Sequence, residues 1–228
     1  MTECSIVELR QYTLRSGQRD VLIELFEREF LESQELAGIT LIGQFRVADE
    51  ADRFVWLRGF ADMETRAAAL ASFYGGPVWA AHRAAANATM LDSDNVLLLR
   101  PAYPGSGFAI SRFEPFPTSA VAPARSTYVG RIRHLGNPAD RDALTGAERT
   151  VSAVAAANAG GTALAWFESE RRPNNYPALP VREDANVFVS FASFPGAGRA
   201  DAYVDNLRHL DGTSEVMKLA PTPRSRLG

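Results

Sequence analysis

The run Phe54-Val55-Trp56-Leu57-Arg58-Gly59-Phe60 predicts a strand, and Asp62-Met63-Glu64 leads from it into an alanine-rich segment. Asp62 is a good N-cap for a helix that continues to Phe73. Gly75-Gly76 interrupts that helix, and Pro77 suits the first position of a second one. The next strand, Val96–Arg100, is short and almost continuously apolar. The order strand, helix, helix, strand therefore fixes the second part of one folding unit.

The residues before this stretch supply the first part of the unit. Ile6–Leu14 predicts a strand, and apolar residues recur at helical spacing from Gln18 to Leu36, with Gly38 suited to close that helix. Ile39–Arg46 and Arg53–Phe60 then predict a β-hairpin. The resulting order, β-α-β-β-α-β, is that of a ferredoxin-like unit.

The same order returns after a segment rich in proline, glycine and serine. We predict a first ferredoxin-like unit over residues 1–103, a linker over 104–124 and a second ferredoxin-like unit over 125–228. The second unit has predicted strands at Tyr128–Leu135, Thr162–Glu170, Asn186–Phe194 and Glu215–Leu219, predicted helices at Asp140–Ala159 and Ala197–Leu210, and a long loop at Arg171–Asp184. Each sheet has helices on one face only, so the other face needs a cover. The predicted fold class is α+β, with the two units packed sheet to sheet as a pseudo-dimeric α+β barrel.

Bulk composition excludes several classes of function. The net charge is −3, and the basic residues form no cluster of the kind that binds phosphate backbones, so we expect no nucleic-acid partner. We find no signal peptide and no apolar run long enough for a membrane helix. Cys4 is the one cysteine, which excludes an internal disulfide. We therefore expect a cytoplasmic protein.

Strand alternation places charged and aromatic side chains on shared faces. These are Glu8, Arg10 and Tyr12 in the first strand, Gln44 and Arg46 in the second, and Phe54, Trp56 and Arg58 in the third. We expect this face to enter the space between the two sheets, with the opposite, apolar face against the helices. Buried charges need partners, so two interpretations stay open. One is a structural ion pair of Glu8 with Arg58 or Arg10, and the other is a polar, aromatic-lined pocket for a small anionic or polar molecule.

The helix after Pro77 carries His82, with Asn87 about one turn further on. A histidine near an apolar stripe is usually a packing residue, and as a general base it needs a carboxylate or carbonyl to fix its tautomer. Asp92 or Asp94 is the candidate partner, although both also suit a turn. The sequence has no metal-ligand spacing and no nucleotide or cofactor motif, so we predict no metal site and no cofactor.

The first half resembles the NIPSNAP family. The resemblance is carried by Glu8-Leu9-Arg10-Gln11-Tyr12, Gly43-Gln44-Phe45, Phe54–Phe60, Phe73-Tyr74-Gly75-Gly76-Pro77-Val78-Trp79 and Ala81-His82-Arg83, and in the second half by Asn175-Tyr176-Pro177 and Leu219-Ala220-Pro221, which are similar to two-repeat bacterial members. It implies the dimeric α+β barrel superfamily. That superfamily includes cofactor-independent oxygenases, lactone isomerases, haem enzymes and plain binding proteins, so the resemblance leaves the reaction open. The Glu-Leu-Arg-x-Tyr pattern is missing from the second half, so we expect an asymmetric site dominated by the first half.

Two hypotheses follow. In the first, a small-molecule enzyme of the cofactor-independent oxygenase or isomerase type has its pocket between the sheet and helices of the first unit. The predicted catalytic residues are His82, Arg58 and Tyr12, and the predicted substrate-binding residues are Glu8, Arg10, Gln44, Trp56, Trp79 and Asn87. The expected partners are a small polar or anionic aromatic molecule and further copies of the chain, as a homodimer or higher homo-oligomer. In the second hypothesis, a non-catalytic ligand-binding or assembly protein has a structural polar interior. A haem variant, with His82 or His134 as axial ligand, is a third option.

Overall fold

The computed structural model describes residues 4–110, 116, 126–136, 141–210 and 214–227. Its strands are β1 (Ile6–Leu14), β2 (Thr40–Val47), β3 (Arg53–Phe60), β4 (Met90–Asp92), β5 (Val96–Pro101), β6 (Thr127–His134), β7 (Thr162–Ser169), β8 (Val187–Phe194) and β9 (Glu215–Pro221). Its helices are α1 (Arg19–Leu25), α2 (Leu31–Leu36), α3 (Met63–Tyr74), α4 (Pro77–Ala88), α5 (Arg141–Asn158) and α6 (Ala197–Leu210). A π-helical turn, Phe26–Phe30, joins α1 to α2. Apart from that turn and β4, the elements lie where the sequence predicts them.

Eight of the strands close into a single β-barrel. The order around the barrel is β3-β2-β9-β6-β8-β7-β5-β1, and the pairing of β1 with β3 completes the ring. All described pairings are antiparallel. The short β4 pairs with β1 outside the ring. Closure gives each of the eight strands two neighbours, so the barrel has no long unpaired edge.

The strands of the two halves meet edge to edge. In each half the four strands lie in the order fourth, first, third, second along the chain: β5-β1-β3-β2 and β9-β6-β8-β7. The halves join through β2 with β9, where Phe45 faces Pro221, and through β5 with β7, where Leu99 faces Ser169. The predicted α+β barrel is therefore present, with its two sheets continuous in one closed ring.

Our predicted orientation of the strand faces is wrong. The barrel interior is filled by apolar side chains from both halves, among them Val7, Leu9, Val55 and Leu57. The opposite face of the first-half strands points to the helices, where Tyr12, Phe54 and Trp56 pack with residues of the helices. Because side chains alternate with a period of two, placing Val7 and Leu9 inside the barrel forces Glu8 and Arg10 to the helix side. The charged face therefore lies between sheet and helices, as the first hypothesis requires, and not between the two halves.

Local signals fix the helices that cover this face. The Asp62 side chain accepts a hydrogen bond from the backbone N–H of Thr65, and the Thr65 hydroxyl accepts one from the Asp62 N–H, which makes a capping box at the start of α3. Pro77 is the first residue of α4. Gly38, with φ 96°, follows the end of α2. The N-cap, the Pro77 start and the closing glycine are all confirmed.

The π-helical turn shapes the aromatic layer above the sheet. Its two ends, Phe26 and Phe30, are both buried. The Phe26 ring lies 4.9 Å from the Trp56 ring, and the Phe30 ring lies 5.8 Å from the Phe73 ring of α3. The turn thus connects the aromatic side chains of the sheet with those of α3. Among the described residues, no helix has the length and apolar character needed to cross a membrane.

Candidate functional site

Glu8 binds three arginine side chains on the helix side of β1. Its carboxylate oxygens lie 2.7 Å from Arg10 Nη1, 2.8 Å from Arg58 Nε and 2.7 Å from Arg66 Nε. All four residues, here called the Glu8 cluster, are at most 2% exposed. Burial alone would raise the pKa of Glu8, but Arg58, Arg10 and Arg66 outweigh it and hold the pKa far below its usual range. Glu8 is therefore a fixed carboxylate that holds three guanidinium groups together.

Strand register and helix packing bring the cluster together. Glu8 lies opposite Arg58 in the β1–β3 ladder, and Arg10 lies opposite Trp56. Arg66 comes from α3, which the capping box at Asp62 positions over the sheet. The predicted ion pairs of Glu8 with Arg10 and with Arg58 are both confirmed. The Glu8–Arg58 pair crosses from β1 to β3, and the Glu8–Arg10 pair lies along β1 between residues on the same face, so strand alternation was enough to suggest both.

The Glu8 cluster carries more positive than negative charge. Three guanidinium groups against one carboxylate leave two positive charges in the interior. In the part of the chain that the structure describes, no other carboxylate forms an ion pair with these arginines. Burial lowers the pKa of Arg66, which reflects the cost of a guanidinium that Glu8 only partly compensates. An anion that enters the cluster would remove that cost.

Aromatic side chains surround the arginines. The indole of Trp56 lies between two guanidinium groups, with Arg10 Cζ at 5.5 Å and Arg58 Cζ at 5.1 Å from its ring. The Tyr12 hydroxyl accepts a hydrogen bond of 3.0 Å from Arg10 Nε, and the Tyr74 hydroxyl accepts one of 3.3 Å from Arg58 Nη1. Burial raises the pKa of Tyr12, so this hydroxyl stays neutral near pH 7 and leaves the positive charge uncompensated.

Several buried polar atoms at the cluster have no hydrogen-bond partner. They are Arg66 Nη2, Trp56 Nε1 and both amide atoms of Gln44. Gln44 lies opposite Trp56 in the β2–β3 ladder, so the two side chains are on the same face. Buried donors are almost always satisfied in native proteins. Unpaired donors together with surplus positive charge are what a site for a small anion requires.

A loop from the second half covers Arg66. Arg66 Nη1 donates to Asn174 Oδ1 at 3.1 Å and to Asn175 Oδ1 at 2.8 Å. The ring of Tyr176 stacks on Tyr74, with ring centroids 6.4 Å apart. These contacts place residues from the second half at a site that the first half builds.

Arg66, Asn174 and Asn175 were missed at the sequence level. A signal for Arg66 was available, since Met63, Leu70 and Phe73 lie three, four and seven positions away, all on the apolar face of α3. An arginine in the middle of such a face is a candidate for buried ion pairing. No sequence signal connects the two asparagines with α3, because they are more than 100 positions away in the chain.

Three of the predicted site residues lie away from the cluster. His82 pairs with Glu29, at 3.3 Å between Nε2 and Oε2, and its side chain is 32% exposed. The carboxylate partner that we expected from Asp92 or Asp94 is therefore Glu29, and Asp92 instead accepts a bond from the Asp94 N–H in a turn. Asn87 is solvent-exposed. Trp79 is half-buried and packs on Phe30, Phe73 and Tyr74.

The second half has a smaller buried ion-pair group. Glu148 of α5 pairs with Arg131 and Arg133 of β6 on the helix side of the second-half strands. Arg131 is buried, whereas the side chain of Arg133 is 31% exposed. The buried ion-pair groups of the two halves therefore differ, and a functional site dominated by the first half stays a prediction. Across the described residues no group of three or more histidine, cysteine or acidic side chains could hold a metal ion.

Comparison with known proteins matches the first half to one family. Residues 7–103 match the model of the NIPSNAP family. No curated protein matches the chain. An uncharacterised NIPSNAP-like domain protein from Burkholderia xenovorans is 26% identical, with 48% of this chain and 95% of that chain covered and a TM-score of 0.43.

Two solved structures resemble the fold over almost the whole chain. A protein from Lactobacillus acidophilus NCFM, described as a "putative monooxygenase", is 14% identical, with 98% of each chain covered and a TM-score of 0.55. A Fusobacterium nucleatum protein with the same description is 8% identical, with 97% of this chain and 94% of that chain covered and a TM-score of 0.56. At these identities the likeness supports the α+β barrel fold across both halves.

Proposed function

We propose, from the match of residues 7–103 to the NIPSNAP family model, that the chain is a small-molecule enzyme whose site is the Glu8 cluster. The site lies between the strands and helices of the first half and takes an anionic aromatic or enolic molecule. The proposed reaction is of the cofactor-independent oxygenase or isomerase type. The observation that carries the proposal is the surplus of two buried positive charges at Arg10, Arg58 and Arg66.

Electrostatic stabilisation is the main contribution that these residues can make. Arg10 and Arg58 hold a developing enolate or phenolate, and a low-dielectric site makes that interaction far stronger than in water. Tyr12 and Trp56 provide the aromatic surface for a planar substrate. Glu8 is not the base, because its pKa is far below the usual range and its oxygens are engaged by arginines. The substrate is therefore one acidic enough to bind as its anion.

His82 has no role in this proposal. Among the described residues, its ion-pair partner is Glu29, and no hydrogen bond or ion pair joins it to the Glu8 cluster. An enolate held by arginines needs no histidine once it is formed, because its electron-rich carbon reacts with dissolved dioxygen in an oxygenation, or takes a proton from water at another carbon in an isomerisation. The two neighbours of similar fold that are described as monooxygenases make oxygenation the first reaction to test.

The same geometry also suits a non-catalytic ligand-binding protein. A specific observation favours this second candidate. Among the described residues, Glu8 is the one carboxylate that pairs with the cluster arginines, and no histidine pairs with them. A site that binds anions strongly and has no free base can bind a ligand without converting it to a product.

For both candidate functions, we propose that residues 1–103 and 125–228 are two ferredoxin-like repeats joined by a linker at 104–124. The shared strand order of the two halves supports this division.

The proposal is tested with arginine variants and a panel of aromatic enols and quinols. We expect dissolved oxygen to fall, or an isomer to form, with the wild-type protein, and Arg58→Gln to lower the rate at least about a hundredfold. His82→Ala is the control and should keep the rate within about threefold, since it changes a half-exposed side chain paired with Glu29. Oxygen electrode and mass spectrometry give the readout. Binding of the anions without any product supports the non-catalytic candidate, and full activity of Arg58→Gln contradicts both.

A further inference from the structure

Arg66 is held at one end by an anion and at the other by neutral groups. Its Nε donates to Glu8 Oε1 at 2.7 Å, while Nη1 donates to the amide oxygens of Asn174 and Asn175. Nη2 has no partner and is buried. A guanidinium group presents parallel N–H donors that fit a carboxylate in two-point contact. The outer end of Arg66 thus has the donors of a carboxylate site and holds two amide oxygens in the place of the carboxylate.

The loop that carries the asparagines rests on the first half through a small set of contacts. Here it is called the covering loop, residues 171–184. Asn175 Nδ2 donates to the Met63 carbonyl at 2.6 Å, and the Arg182 N–H donates to the Val96 carbonyl at 2.8 Å. The Tyr176 ring stacks on Tyr74, and Leu179 and Val181 pack on the first-half core.

The covering loop makes two kinds of contact with the first half, one polar and one aromatic. Asn174 and Asn175 place carbonyl oxygens on Arg66, and the next residue, Tyr176, places a flat ring on Tyr74. Tyr74 in turn contacts Arg58 through its hydroxyl. The loop thus places two oxygen acceptors on the guanidinium of Arg66 and, one residue later, an aromatic ring on Tyr74. An aromatic carboxylate carries the same two groups, an oxygen pair and a ring.

Resting on the proposed anion site, we propose that Arg66 binds the carboxylate of an aromatic carboxylic acid, and that this ligand displaces Asn174, Asn175 and Tyr176 of the covering loop. The displacement is favourable because a charged acceptor replaces two neutral ones: charge-assisted bonds to a guanidinium are roughly twice as strong as neutral ones. The incoming charge also removes part of the surplus positive charge in the cluster. In this structure burial lowers the pKa of Arg66, in keeping with that surplus of positive charge.

Asn175→Asp provides the sharpest test, because it puts a carboxylate on Arg66 permanently. The variant changes one NH₂ group to oxygen and gives up the bond to the Met63 carbonyl. The tethered carboxylate should compete with an added one and weaken benzoate binding at least about tenfold, as measured by calorimetry. Asn206→Asp is the matched control: it adds the same charge at an exposed position of α6 and should leave benzoate affinity within about twofold. Benzamide, which has the shape of benzoate without the charge, should bind at least about tenfold more weakly than benzoate to the wild-type protein.

Hydrogen exchange tests the displacement itself. In this structure the N–H groups of Leu179, Arg182 and Glu183 in the covering loop are hydrogen-bonded. Benzoate should therefore speed amide exchange in the loop. Unchanged or slower exchange in the loop on benzoate binding would overturn the displacement.

The two levels of the proposal fail in different ways. If benzoate binding is lost in Arg58→Gln but unchanged in Arg66→Gln and in Asn175→Asp, the anion site stands and the assignment to Arg66 falls. If benzoate does not bind to the wild-type protein, the assignment falls as well. Asn175→Asp tests the assignment to Arg66 even if Arg66→Gln does not fold, because Asn175 lies on the covering loop.

Discussion

Glu8→Gln is expected to lower the free energy of unfolding by about 3–5 kcal/mol, measured by urea denaturation near pH 7. The variant keeps the shape of the side chain and removes the carboxylate that binds Arg10, Arg58 and Arg66. Three guanidinium charges then remain in a fully buried space with no counter-ion from the described chain. Leaving buried charge uncompensated is among the most destabilising changes that a single substitution makes.

The size of the loss should depend on the sign of the charge that is removed. Arg66→Gln lowers the surplus from two positive charges to one, so it should cost less than half as much as Glu8→Gln although each of the two side chains makes three of the described hydrogen bonds. Glu29→Gln is the control for removing a carboxylate that pairs at the surface, and it should cost far less than Glu8→Gln. Equal costs for Glu8→Gln and Arg66→Gln would show that hydrogen bonding, and not surplus charge, dominates the cluster.

The pH dependence of this loss follows from the depressed pKa of Glu8. In the unfolded chain a glutamate titrates near pH 4.3, whereas the folded-state pKa of Glu8 is far lower. The folded state therefore binds fewer protons, and the stability that Glu8 contributes is fully present above the unfolded pKa and is lost as the pH falls toward the folded one. The difference between wild type and Glu8→Gln should shrink as denaturation is repeated from about pH 7 down to about pH 3. A difference that stays constant over this range would contradict the linkage.

The sequence alone was sufficient for the elements and for part of the cluster. The preferences of Asp62, Pro77 and Gly38 for caps and helix ends depend on local backbone geometry, so the positions predicted from them are found in the folded chain. The pairing of Glu8 with Arg10 follows from alternation along β1, and its pairing with Arg58 follows from the neighbouring strand β3. The contacts of Arg66 with the covering loop are different, because they depend on how the two halves close into one barrel and no periodicity in the chain reports that.

The orientation of the strand faces needed the three-dimensional structure. Alternation tells which side chains share a face, but the barrel strands are buried on both faces, so apolar residues occur on each. We assigned the charged face to the space between the sheets because we expected the apolar face of each strand to pack against the helices. A closed barrel of eight strands has an interior that large side chains can fill completely. Branched and aromatic side chains from both halves occupy that volume, and the charged face is left to the helix side.

Phe191→Ala is expected to lower the free energy of unfolding by about 3–5 kcal/mol, because the barrel interior is packed and not hollow. The Phe191 ring lies 5.2 Å from the ring of Phe108 and 6.2 Å from that of Phe167. Gly130 on the neighbouring strand leaves room for it: a Cβ at Gly130 would lie 3.1 Å from Phe191 Cε1. Removing the ring leaves a cavity that the surrounding strands, fixed by closure, cannot fill by collapsing.

Val154→Ala, at a side chain that is 53% exposed on α5, is the control and should change stability by less than about 0.5 kcal/mol. Urea denaturation of both variants separates two views of the molecule. A loss below about 1 kcal/mol for Phe191→Ala would mean that the interior has room to spare, as in a barrel that encloses a ligand. A large loss means that side chains fill the barrel interior, which agrees with the proposal of a site outside the barrel, between strands and helices at the Glu8 cluster.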